Sequence, residues 1–201
     1  MSAEFIRPSK EEIRVLPLFE GISLDNIIVV DKDSKLEVAR DVLDGVTIIG
    51  FDTESKPTFK KGEESMGPHV IQLATSSHAL IFTPHFLPGL AAAMDILQSR
   101  DVTKYGFGLS GDKKLFRNRF GIEVKNTVDL ASIVKRTFGL KQGVGARAAI
   151  AILFKQRLSK SAQKSNWGNY PLKPHQIKYA ANDAYAGICV INALKVRGLV
   201  N

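Results

Sequence analysis

Short β-branched apolar runs come first and then alternate with stretches of helical periodicity, an order that restricts the chain to an α/β fold on a mixed sheet. Residues 27–30 read as a first strand. Asp33 or Ser34 then caps a helix that runs to about Leu43, with Val38, Ala39, Val42 and Leu43 on one face. Residues 46–54 form the next strand, and 70–74 with 79–82 form a hairpin around Ser76 and Ser77. A helix over about 88–98 precedes a strand at 102–107. Another helix, 112–120, stops at Gly121. Residues 126–128 give a short strand, 129–138 and 146–154 are helical, and the last helix opens near Pro174 and leaves at Gly198. No internal repeat or long linker divides this series, so the expectation is a single mixed β-sheet flanked by helices over 25–201, preceded by an N-terminal arm over 1–24.

The chain of 201 residues, 44% hydrophobic and 24% charged, can bury a sizeable core without staples. Its single cysteine, Cys189, sits in an apolar run and reads as a small core residue rather than a nucleophile. The first residues hold no apolar core of signal-peptide length, and no run is long enough to span a membrane, so a cytoplasmic address is expected. The net charge of +8 favours polyanions as partners, although solvated lysine faces produce the same excess.

Three groups of acids carry the chemistry. On the strand 46–54, side chains alternate, so Val46, Ile48, Gly50, Asp52 and Glu54 share one face. That face is apolar and then abruptly bears two carboxylates. Held this close they repel, and either one takes up a proton or a hard cation such as Mg²⁺ or Mn²⁺ neutralises both. A strand end emerging into water explains an isolated Asp-x-Glu equally well. Tyr179 and Asp183, four apart, share a face of the last helix opposite Ile177, Ala181, Ala184, Ile188 and Ile191. Ala180, Ala184 and Gly187 leave room there for close approach. The plain alternative is a half-buried aromatic beside a solvated acid.

Asp112 follows Gly106-Phe107-Gly108-Leu109-Ser110-Gly111, a G-x-G-x-x-G run between a strand and a helix. Asp129 even lies near the spacing of a ribose-binding acid. Yet a bound pyrophosphate would meet the Asp112 carboxylate at the helix N-terminus, and the run follows four strands rather than the first. A dinucleotide cofactor is therefore not expected, and a helix N-cap is the modest reading of Asp112.

Taken in order, Phe51-Asp52-Thr53-Glu54, Gly106 through Asp112, and Tyr179-Ala180-Ala181-Asn182-Asp183-Ala184 resemble the three exonuclease motifs of the DEDDy superfamily, which holds ribonuclease D and the Werner-type exonuclease domains. Ile71-Gln72-Leu73-Ala74 and Lys164-Ser165-Asn166-Trp167 resemble it further, and the likeness covers roughly residues 27–197. It implies a ribonuclease H-like fold and a 3′–5′ exonuclease using two divalent cations, Mg²⁺ or Mn²⁺. Asp52 would bridge both ions, Glu54 and Asp183 would complete one site, and Asp112 would support the other. Tyr179 would orient the attacking water. His175, eight residues before Asp183, does not fit the histidine-bearing subclass and reads as a first-turn helix residue. The chain shows neither a helicase nor the C-terminal helical domains of ribonuclease D.

Nucleic acid, DNA or RNA with a free 3′ end, is the expected partner. Lys113 and Lys56 are the candidate phosphate contacts, with Lys60, Lys61 and Lys114 nearby. Leu109 or Phe107 is a candidate base wedge, with a core position as the alternative for each, and Trp167 anchors the loop before the last helix. Two other readings stay open: a catalytically silent nucleic-acid-binding module on the same fold, and a dinucleotide-binding oxidoreductase.

Overall fold

A computed structural model describes residues 7–58 and 66–200. The elements are α1 (Lys10–Val15), β1 (Ile27–Val30), α2 (Asp33–Leu43), β2 (Ile48–Glu54), β3 (Val70–Ala74), β4 (Ala79–Phe82), α3 (Leu87–Gln98), β5 (Thr103–Gly106), α4 (Ser110–Phe120), β6 (Thr127–Asp129), α5 (Leu130–Thr137), α6 (Ala146–Phe154) and α7 (Pro174–Val196). The six strands make one mixed sheet in the order β1-β4-β3-β2-β5-β6. β3 runs antiparallel to both β2 and β4, whereas β1 with β4, β2 with β5 and β5 with β6 are parallel.

Alternation along β2 sends Ile49 and Phe51 to one face, into a core shared with Leu36 of α2, Leu90 and Leu97 of α3, and Phe116 of α4. Gly50, Asp52 and Glu54 face the other way, toward α7. There Gly50 allows a very close approach: a Cβ on it would fall 2.0 Å from the Ala184 carbonyl oxygen. The small residues around Asp183 thus do what their size suggests, letting α7 lie directly on the centre of the sheet. The inner face of α7 is buried, with Ile188, Val190, Ile191 and Leu194 in one cluster and Ala180, Ala181 and Ala184 in another. Among the described residues, no helix is long and apolar enough to cross a membrane.

The structure corrects several boundaries. β2 begins at Ile48, because Val46 is still in the turn after α2, its amide donating to Leu43. Asp33 lies inside α2. Lys32 occupies the cap position and makes no side-chain cap bond. α4 begins at Ser110, which puts Asp112 in its first turn and removes the N-cap reading. Asp129 ends β6, and its side chain caps α5 by accepting the Ala131 amide at 2.9 Å. The arm holds a helix that composition did not reveal. Ser9 and Glu12 close α1 with a capping box, the Ser9 hydroxyl taking the Glu12 amide and the Glu12 carboxylate the Ser9 amide.

The candidate active site

Asp52 and Glu54 leave β2 on the face that α7 crosses, and Asp183 comes down from α7 to meet them. One carboxylate oxygen from each of the three lies within 4.8 Å of the other two. Strand alternation supplies the first two, and the Gly50–Ala184 contact fixes the height of the third. Asp112 stands beside this trio rather than within it. Its carboxylate accepts a short hydrogen bond from the Thr53 hydroxyl, on the opposite face of β2. It is still near enough to act on the others electrostatically.

Burial makes all four acids reluctant to ionise, and repulsion from neighbouring acids adds to this at Asp52 and Glu54. Asp52 is held well above the usual carboxylate range by burial first, then by Asp183, Asp112 and Glu54, against one favourable bond from the Thr53 amide at 2.9 Å. Burial, with Asp183 and Asp112, pushes Glu54 up to about 8. Asp183 rises to about 6 through burial, opposed by the Tyr179 hydroxyl and the Arg147 guanidinium. Asp112 is raised by burial, with Thr53 pulling the other way. Burial followed by the Asp183 charge raises Tyr179, so its phenol keeps its proton and can only orient a partner by hydrogen bonding. The Tyr179 ring lies 5.9 Å from the Trp167 ring, centroid to centroid, which fixes its direction. Trp167 is fully buried and anchors the loop before α7, as expected.

Sequence reasoning singled out Gln72 only as part of a matching tetrapeptide. It pairs directly with Asp52 across the β2–β3 ladder, so its side chain shares the Asp52 face. It is completely buried, and neither amide atom has a hydrogen-bond partner. Its signal in the sequence was a single glutamine inside an otherwise apolar strand.

The other expectations divide. Leu109 is corrected: it is 2% exposed and packed with Phe51 and Phe116, so it is core and no base wedge. Phe107 is half-buried against the cluster beneath α6 and α7. Lys56 is exposed just after β2, its amide donating to His69 Nδ1. Lys113 is half-buried with Nζ 3.5 Å from Thr127 Oγ1. Lys60 and Lys61 lie outside the described residues. His175 is an exposed first-turn residue of α7. Burial raises the Cys189 thiol to about 11, which leaves it protonated and inert. The glycine run also has a structural account. A Cβ on Gly106 would sit 2.4 Å from the Phe51 carbonyl oxygen, and Asp129 receives the Gly108 amide while capping α5.

A groove of about 770 Å³ opens from Asp52, Tyr179 and Asp183 toward α1 and the N-terminus of α6. Arg7, Lys10, Arg14, Arg147, Arg157 and Lys160 line it, none of them singled out from the sequence. They are scattered along the chain and form no local motif.

A mixed sheet with three carboxylates and a tyrosine gathered under a helix that crosses it defines a nuclease-type catalytic domain. The chain belongs to the 3′–5′ exonuclease family, whose model matches residues 27–198. It is 29% identical over 155 residues to a 3′–5′ exonuclease of Arabidopsis thaliana, covering 75% of this chain and 54% of that protein. It is 32% identical over 152 residues to the bifunctional 3′–5′ exonuclease/ATP-dependent helicase WRN of Mus musculus, covering 73% of this chain but 11% of that one. The chain therefore spans about half, or far less, of these relatives. Its fold matches the crystal structure of the Aedes aegypti Nibbler EXO domain at a TM-score of 0.73 and 24% identity, over 88% of this chain and 90% of that one.

Proposed function

We propose that this chain removes nucleotides from the 3′ end of single-stranded or frayed nucleic acid by hydrolysing the terminal phosphodiester, with two divalent cations, Mg²⁺ or Mn²⁺. The observation that carries this reading is the convergence of Asp52, Glu54 and Asp183 within 4.8 Å at the inner end of a groove lined by cations.

The residues fit such ions. Half-buried carboxylates crowded together hold protons above the usual range, and a hard cation is the partner that lets them ionise. Asp52, Glu54 and Asp183 would hold one ion, with Asp52 reaching a second that Asp112 supports from its place on Thr53. Bound cations supply Lewis-acid stabilisation of the negative charge that builds on the phosphate and on the departing 3′-oxygen.

The chain's own side chains do the rest. Tyr179 keeps its proton and presents a fixed hydroxyl beside Asp183, suited to orienting a water against the terminal phosphate. Helix α7 and the sheet bury the acids, which strengthens every interaction made there. The groove is open on one side, so a single strand can lay its end on the acids.

The test is a degradation assay on 5′-labelled single-stranded DNA, recessed duplex DNA and structured RNA, with Mg²⁺ or Mn²⁺ and with EDTA. A ladder of shortened products that EDTA abolishes is expected. A ladder that survives chelation overturns the metal reading. Binding without any shortening would make the chain a silent module.

A further inference from the structure

The proposed reaction consumes only the last phosphodiester, yet the groove continues well past the acids to a wall that the family match does not include. That wall is α1 with Arg7, two residues before its Ser9 cap, upstream of residue 27, where the match begins. We propose that α1 is the outer wall of a binding site for the upstream backbone of a single-stranded nucleic acid whose 3′ end lies at Asp52 and Asp183. This inference rests on the exonuclease reading and adds the strand's path to it.

The described part of the arm, from residue 7 on, is built into the domain. Leu18 bridges to Arg157, and the Phe19 amide donates to the Arg157 carbonyl at 2.9 Å. The Arg157 amide donates to Pro17 at the same distance. Arg157 Nε also donates to the Leu16 carbonyl at 2.9 Å, and the Ile22 amide donates to Asn182 Oδ1 at 3.0 Å. Phe19 lies 6.0 Å from Phe154 and 6.5 Å from Tyr185, ring to ring. Asn182 adjoins Asp183, so the arm is tied to the helix that carries the site.

With the arm held there, Lys10 and Arg14, one helical turn apart, face the groove with Arg7. Arg147, Arg157 and Lys160 line it as well. Among the described residues, Glu11 is the only acid on the lining apart from Asp52 and Asp183. Phosphates drawn toward those two acids meet repulsion, and the six cations along the way offset it. Among the described residues, Tyr179 is the only one on the lining with an aromatic ring, and the cations there favour binding to the backbone over stacking on bases.

The test is the triple variant Arg7→Gln, Lys10→Gln, Arg14→Gln. All three residues are exposed, and the Ser9–Glu12 capping box is untouched. Binding of a 5′-fluorescein single strand of about twelve nucleotides is read by anisotropy with Ca²⁺ across a salt series. In parallel, hydrolysis of the p-nitrophenyl ester of thymidine 5′-monophosphate with Mn²⁺ reads the catalytic centre alone. The variant should bind the strand about tenfold or more weakly. Its plot of log K against log salt should be shallower by about 2, as expected for three lost phosphate contacts. Ester hydrolysis should be unchanged. An unchanged affinity and slope, or an equal loss on ester and strand, overturns the inference. A wild-type protein that binds the strand but leaves the ester intact instead counts against the exonuclease reading.

Discussion

Asp52 faces three other acids with a single amide to satisfy it, and this imbalance governs how the site responds to mutation and pH. Asp52→Asn keeps the shape and removes the group whose ionisation burial and the other acids oppose. In metal-free protein near neutral pH it should raise stability by about 0.5–2 kcal/mol while abolishing exonuclease activity, both measurable on the same preparation. A variant that loses stability would mean that Asp52 is structural. The acids also set a pH dependence. The native state holds protons on Glu54 up to about 8 and on Asp183 up to about 6, whereas the unfolded chain releases them near 4.5 and 3.8. Their contribution to native stability is therefore full below the unfolded values and is lost as pH rises through this window. Chelator-treated protein should melt progressively lower from about pH 4 to about pH 8. The rise in Tm on adding Mn²⁺ should be larger at the upper pH, where ions replace protons. An equal rise at both would place the ion elsewhere.

The elements depend on how closely they can approach. Because a Cβ on Gly50 would meet the Ala184 carbonyl oxygen at 2.0 Å, Gly50→Ala must lift α7 from β2. The expected cost is about 1–3 kcal/mol, read by urea unfolding. Activity should fall further than stability, because Tyr179 and Asp183 both ride on α7. The elements themselves were largely legible. β1, β3, β4 and α6 lie where their apolar runs end in polar or glycine neighbours. β2 and β5 start late because the turns before them use up their first residues. α4 starts early because Ser110 and Gly111 join its first turn, which carries Asp112 past the cap position. α1 has six residues, too few for a periodic signal, and its Ser9-x-x-Glu12 capping box was the cue available.

At the scale of the whole molecule, the arm is part of the domain's core. Phe19 is 8% exposed and lies in the same cluster as Leu153 and Ile188. Phe19→Ala should cost about 3–5 kcal/mol, seen as a lower urea midpoint. A change below about 1 kcal/mol would show that the arm merely rests on the surface.

The sequence by itself determined which acids could act together locally. Asp52 and Glu54 share a face because strands alternate, Tyr179 and Asp183 because helices turn, and both periods are properties of the backbone at short range. Only the tertiary structure decided that Asp183 completes a trio, that Asp112 rests on Thr53 beside it, that Leu109 is core, and that six scattered cations line one groove. Those relations join distant parts of the chain, and long-range packing sets them where no local preference reaches.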